Sequence, residues 1–144
     1  MLLLLVGLKG YSQDVINVAD TSILSFKTYL EKNIRYPAIA AENDVKGQML
    51  ITFKLNNDKK ITDVQFVIPL MAECDSAVIK AIRKYSQTLL LPPDEYTIGL
   101  HYILSVEGKP DSPVIPFDKK LYRNFLFEIS MRHFLMKQKV YITY

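Results

Sequence analysis

The chain has 144 residues, 49% of them hydrophobic and 23% charged, the balance of one globular domain with its own core rather than a disordered chain. A net charge of +3 is mild, and no Lys/Arg cluster alternates with aromatics along one strand face, so a nucleic-acid binder is unsupported. One cysteine, two histidines without Cys or carboxylate neighbours at ligand spacing, and only five glycines offer no disulfide, no metal set and no phosphate-cradling loop; no cofactor and no metal are expected.

At the N-terminus, Leu2 to Leu8 is a short aliphatic run followed by Gly10-Tyr11-Ser12. A bilayer-spanning helix needs about 20 apolar residues, so this run reads instead as the apolar part of a secretory signal. Gly10 and Ser12 supply the small residues if cleavage follows Ser12, although the usual basic leader is missing. The alternative is a buried N-terminal strand. Residues 1–12 are therefore expected to be a signal peptide, 13–108 a domain, and 109–144 a C-terminal extension.

Asp20-Thr21-Ser22 offers N-cap candidates, Thr21 or Ser22 above all, for a helix reaching about Asn33. Ile23, Phe26, Leu30 and Ile34 give it a core-facing stripe. Pro37 forces Tyr36 into an extended conformation and starts a short turn over Ala38–Glu42. After Gly47 the chain alternates: Met49, Ile51, Phe53 and Leu55 share one face, with Leu50 the exception on the other. The polar run Asn56–Lys60 is a turn, and Val64, Phe66 and Ile68 share a face in the second strand. Ile61 joins that face only if a bulge intervenes.

A second helix is expected from about Glu73 to Tyr85, with Cys74, Val78, Ala81, Ile82 and Tyr85 inward and the lone thiol acting as a small hydrophobe. Glu73 and Asp75 open it, and Arg83 and Lys84 close it, as the helix dipole favours. The third strand is the most regular. Tyr96, Ile98, Leu100, Tyr102, Leu104 and Val106 alternate with Thr97, Gly99, His101 and Ser105, and Ile103 is the one apolar intruder on the second face. Pro110, Pro113 and Pro116 stiffen a connector. From Asp118 to about Lys137, the spacing of Leu121, Tyr122, Phe125, Leu126, Ile129 and Met136 predicts a helix, and Val140–Tyr144 a short strand.

The fold class is thus α+β: a small three-stranded antiparallel sheet packed on two helices in the order α-β-β-α-β, plus a C-terminal helical extension. Catalysis is not expected. There is no nucleophile elbow with Ser, His and Asp in a usable order, and Asp58, Asp63, Glu73 and Asp75 sit in turns or helix ends where carboxylates are solvated.

Tyr36-Pro37, Ala40-Ala41, Gly47 opening an alternating strand, Ile61-Thr62-Asp63-Val64, and Cys74-Asp75 followed by Ala77 and Ala81-Ile82-Arg83 form an ordered set. The set resembles the TonB C-terminal domain family over roughly residues 22 to 107. Two positions depart from that family's pattern: Lys59 stands where the hairpin turn usually has glycine, and no tryptophan follows the second helix. A left-handed turn residue costs a lysine roughly 1 kcal/mol.

The resemblance implies binding rather than catalysis, by a free-standing periplasmic member that touches the membrane only indirectly. Such domains capture an extended segment of an outer-membrane transporter, or another envelope protein, as an added strand beside the last strand of the sheet. It places the partner-binding residues at Arg35, Tyr36 and Pro37, and at Thr97, Gly99, His101, Ile103 and Ser105 on an exposed third strand. The alternative is a structural or regulatory envelope subunit, or a homodimerisation module, whose sheet edge is covered by its own tail.

Overall fold

The computed structural model describes residues 19–136, so the apolar run at 2–8 and the strand expected at 140–144 lie outside the described residues. The elements are α1 (19–33), α2 (Ala38–Glu42), β1 (Gly47–Leu55), β2 (Ile61–Ile68), α3 (Ala72–Lys84), β3 (Glu95–Val106) and β4 (Phe125–Leu135), with a 3-10 turn at Lys119–Leu121. One mixed sheet runs in the order β2-β1-β3-β4. β1 is antiparallel to both its neighbours, whereas β3 and β4 are parallel.

One sheet face carries the main core. Phe26, Leu30 and Ile34 from α1 and Cys74, Val78, Ala81 and Ile82 from α3 pack on Met49, Ile51 and Phe53 of β1 and on Tyr96, Ile98, Leu100 and Tyr102 of β3. These are the stripes that helical and alternating periodicity require. Phe26 lies edge-on to both Phe53 and Phe127, with ring centroids 5.8 Å apart in each case. The Tyr29 hydroxyl donates to the Ala81 carbonyl at 2.7 Å and ties α1 to α3.

Ser22 is not the helix cap, because the chain is already helical at residue 19. Its hydroxyl instead donates to Ala19 O and accepts the Leu90 N–H at 3.0 Å, pinning the loop in which Leu89 and Leu91 are buried. At the helix exit Pro37 is extended, and its carbonyl accepts from Ala40 and Ala41 N–H to start α2. Gly47 then enters β1 at φ 144, a conformation that side chains disfavour.

The β1–β2 hairpin has two bulges on β2. One falls between the Thr52 and Lys54 pairings and contains Asp63 at φ 48, and it brings Ile61 onto the core side with Val64 and Phe66. The other, between the Leu50 and Ile51 pairings, carries Ile68 off that face, so Ile68 is 37% exposed rather than aligned with Phe66. In the turn Lys59 does adopt the left-handed conformation, at φ 63. Asn56 Oδ1 accepts from Asp58 and Lys60 N–H, and Lys59 Nζ donates to Leu91 O at 2.6 Å, which offsets part of the backbone cost.

The tail departs most from expectation. The segment read as a helix over 118–137 is a single 3-10 turn followed by β4, so the three-stranded sheet gains a fourth strand. Phe127, Ile129 and Met131 enter the main core from alternate positions, while Ser130 and Arg132, on the opposite face, are exposed. Leu121 and Met136, which a helix would have buried, are 72% and 78% exposed. An unpaired β3 would leave a row of backbone groups unsatisfied, and that outweighs the helical spacing of the tail.

Candidate docking edge

The five β3 residues expected at an exposed edge lie on the sheet face away from the helices, and that face is not open. Thr97, His101 and Ser105 are 2%, 5% and 5% exposed, and Ile103 is 8% exposed. β3 is hydrogen-bonded on both sides, to β1 and to β4. The segment 109–124 crosses over the face and covers it. The expectation failed because that face was read as solvated, whereas the tail supplies a lid.

Each covered residue has a local partner. Thr97 Oγ1 donates to Arg123 O at 2.8 Å. Gly99 lies directly under Phe117: a Cβ there would stand 2.5 Å from two of its ring carbons. His101 sits between Gln48 and Glu128, with Nε2 3.4 Å from Glu128 Oε1 and the imidazole centroid 5.0 Å from the Phe117 ring. Glu128 Oε1 also accepts the Phe117 N–H at 2.5 Å, fastening the lid to β4. Ser105 accepts from Arg132 Nη1 at 2.5 Å, and the same guanidinium pairs with Asp111. The Arg132 contact, with Ser105 adding to it, holds the Asp111 carboxyl below the usual carboxylate range. Gln48 Nε2 donates to Ile115 O, and between lid and sheet remains a cavity of about 180 Å³ lined by Ile103, Val114 and Ile115 among others.

Tyr36 and Pro37 occupy the corner after α1, both half-buried, with Arg35 exposed beside them. The Tyr36 hydroxyl donates to Val45 O, which fixes the corner to the start of β1. Its ring is edge-on to Tyr102 at 5.2 Å and lies 5.5 Å from the His133 ring on β4. Burial, followed by the neighbouring Cys74 and Asp44, raises the Tyr36 pKa above its ordinary value. Arg35 and Pro37 also border a shallow groove with Glu73, Ser76 and Lys80 of α3. Cys74 is fully buried, and burial pushes its thiol up to about 11, which suits a core residue rather than a nucleophile.

The free edge on this side of the sheet therefore belongs to β4, the last strand among the described residues. Leu135 O accepts from Glu107 N–H, so in a parallel ladder the odd-numbered residues from 127 to 135 turn their backbone groups toward β3. Glu128, Ser130, Arg132 and Phe134 then turn theirs outward. Sequence reasoning missed this edge. Two signals pointed to it: Leu50 and Ile103, apolar residues on a face that should have been polar, and the alternation of Phe125, Phe127, Ile129 and Met131. Among the described residues no group of His, Cys, Asp and Glu is arranged to hold a metal ion, and no helix is long and apolar enough to cross a membrane.

Residues 32–106 match the family described as Gram-negative bacterial TonB protein C-terminal. The chain is similar to Protein TonB from two strains of Helicobacter pylori, 26% and 25% identical over 95 residues. That stretch is 65% of this chain and 33% of each relative, so the chain spans about a third of their length. Among solved structures it is similar to two NMR solution structures of the H. pylori TonB C-terminal domain. One, at 24% identity and a TM-score of 0.43, covers 56% of this chain and 91% of that one. The other, at 25% and 0.45, covers 55% and 77%.

Proposed function

Since the chain belongs to the TonB C-terminal domain family, we propose that it is a non-catalytic protein-binding module of the cell envelope that serves outer-membrane transport. It takes up an extended segment of an outer-membrane transporter, or of another envelope protein, as an added strand. Main-chain hydrogen bonds supply the affinity in that mode, and side-chain contacts set the register.

The observation that carries this reading is the juxtaposition of the Tyr36-Pro37 corner with an exposed strand edge. The Tyr36 ring lies 5.5 Å from His133 on β4, and β4 has no further strand beside it among the described residues. The incoming segment lies along Glu128 to Phe134 and reaches Arg35, Tyr36 and Pro37 at one end. Thr97, Gly99, His101, Ile103 and Ser105 act beneath it, as the support that holds β4 in place.

A second reading follows from the β3–β4 ladder itself. Here β4 is a cap that closes the β3 edge, and the domain is a structural or regulatory subunit. One titration separates the two. Transporter-derived extended peptides are added to the ¹⁵N-labelled full chain, and backbone amides are followed by NMR. Capture shifts Ser130, Arg132 and Phe134 together with Tyr36 while the β3 amides keep their positions. A cap that a peptide displaces shifts Thr97–Ser105 instead. If neither set moves with any peptide, strand addition is wrong for this chain.

A further inference from the structure

The cavity between the lid and the sheet has a size, a lining and a charge that strand capture does not use. Its volume is about 180 Å³. An apolar cavity of about 150 Å³ is enough for a benzene ring, so the space takes one ring or a short branched chain and little more. Its floor is the sheet. Gln48 of β1 pairs with His101 of β3, and Ile103, two residues along β3, shares the face of His101. Its roof is the lid, where Val114 and Ile115 line it from above.

The charge lies at one end. Lys46, the residue before β1, lines the cavity together with Ser112 of the lid, and both are exposed, so this end opens to water. Lys46 Nζ is 3.9 Å from Asp44 Oδ1, with side chains 47% and 72% exposed, a pair too open to hold the ammonium firmly. The other carboxylates at the lid are committed: Glu128 to the Phe117 N–H and His101, and Asp111 to Arg132. Glu128 and Arg132 stand on β4, which lies on the far side of β3 from β1. An anion at the Lys46 end therefore meets a cation and a hydroxyl, while an apolar body behind it lies against Ile103, Val114 and Ile115.

We infer that this cavity binds a small carboxylic acid anion whose apolar body is the size of one ring, with the carboxylate at Lys46 and the ring between lid and sheet. The lid is already tied to the floor, because Ile115 O accepts from Gln48 Nε2. The site is thus formed before the ligand arrives, and a ligand that fills it fastens the lid further. The inference does not rest on strand addition, and its test contains no peptide, so either reading can fail alone.

The experiment titrates phenylacetate into the ¹⁵N-labelled full chain and follows backbone amides by NMR. Two controls separate charge from shape: phenylacetamide keeps the ring and loses the charge, and acetate keeps the charge and loses the ring. Phenylacetate is expected to give saturable shifts, with a Kd in the millimolar range or below, confined to residues 46–48, 101–104 and 112–115. Phenylacetamide should bind at least tenfold more weakly, the loss of a charge-assisted contact, and acetate should not saturate. Lys46→Met, at an exposed side chain outside the core, should bring phenylacetate down to the level of phenylacetamide. Val114→Trp fills the space from the lid side and should abolish binding.

The inference is overturned if phenylacetate gives no saturable shift up to about 10 mM, if the amide binds as tightly as the acid, or if the shifts fall on other parts of the chain. A Lys46→Met protein that binds phenylacetate as the unaltered chain does overturns it as well. Should Val114→Trp fail to fold, the acid–amide comparison on the unaltered protein and the Lys46→Met variant decide the matter, since neither disturbs the core.

Discussion

Gly99→Ala is the sharpest probe of the lid. Gly99 is in ordinary extended backbone at the centre of β3, so nothing in its own conformation requires glycine. What excludes a side chain is Phe117. The added Cβ would lie 2.5 Å from two Phe117 ring carbons and 3.2 Å from Phe125 Cζ. Relaxed carbon contacts are about 3.5–4.0 Å, so the ring must retreat by roughly 1 Å or leave its seat. Phe117 is only 8% exposed, and its backbone N–H holds Glu128, so its displacement loosens lid and β4 together.

Overpacking of this kind costs about 1–3 kcal/mol, while alanine in place of glycine returns about 0.5–1 kcal/mol by restricting the unfolded chain. The expected net loss is about 1–2 kcal/mol, read from urea unfolding followed by circular dichroism, or as a fall in Tm of about 2–4 °C per kcal/mol. The decisive arm is the Phe117→Ala background. There the ring is gone and only the chain-entropy gain remains, so Gly99→Ala should be neutral or stabilising by up to about 1 kcal/mol. A coupling of about 1–3 kcal/mol between the two sites follows. If Gly99→Ala costs the same in both backgrounds, Phe117 does not sit on Gly99, and the account of the lid is wrong.

Three further outcomes check separate parts of the structure. In hydrogen–deuterium exchange, amides along Thr97–Val106 should be among the slowest in the protein, because β3 is paired on both sides; rapid exchange there would mean that β4 does not occupy the edge. The Tyr102 hydroxyl is buried without a hydrogen-bond partner, and burial, before any nearby charge, pushes its pKa up. Tyr102→Phe should therefore raise stability by about 1 kcal/mol, and a loss of that size in urea unfolding would reveal a missing partner. Asp94 accepts the Glu95 N–H at 2.7 Å and pairs with Arg123, and these hold its carboxyl below the ordinary range. A depressed folded value gives stability that is present above the unfolded pKa of about 3.9 and is lost as pH falls through the folded one. The gap in urea midpoint between the unaltered protein and Asp94→Asn should be open at pH 6 and close in acid; a gap that persists there would refute the pairing.

The helices and the first three strands were legible because each satisfies one local period. Phe26, Leu30 and Ile34 fit only a helix, and Met49, Ile51, Phe53 and Leu55 fit only a strand. The tail fits both. Phe125, Leu126 and Ile129 have helical spacing, whereas Phe125, Phe127, Ile129 and Met131 alternate, and nothing local chooses between them. The choice is made some thirty residues upstream by β3, which needs a second partner. Parallel pairing adds to the difficulty, since it joins segments through a long crossover that leaves no hairpin signal.

The same ambiguity decided the site. Thr97, Gly99, His101 and Ser105 look like a solvated face when β3 is taken as an edge. They are equally what a covered face can be built from when a lid brings Phe117 for Gly99 and β4 brings Glu128 for His101. Leu50 and Ile103 on that face had no place in the first picture and find one in the second, both buried against it. The Tyr-Pro corner does lie beside a strand edge, but that edge is β4 and not the β3 edge the sequence led one to expect. Tyr36 touches Tyr102 on β3 and His133 on β4 at once. The tail therefore moves the edge one strand outward without moving it away from the corner, and a partner strand would find the same two landmarks in a new register.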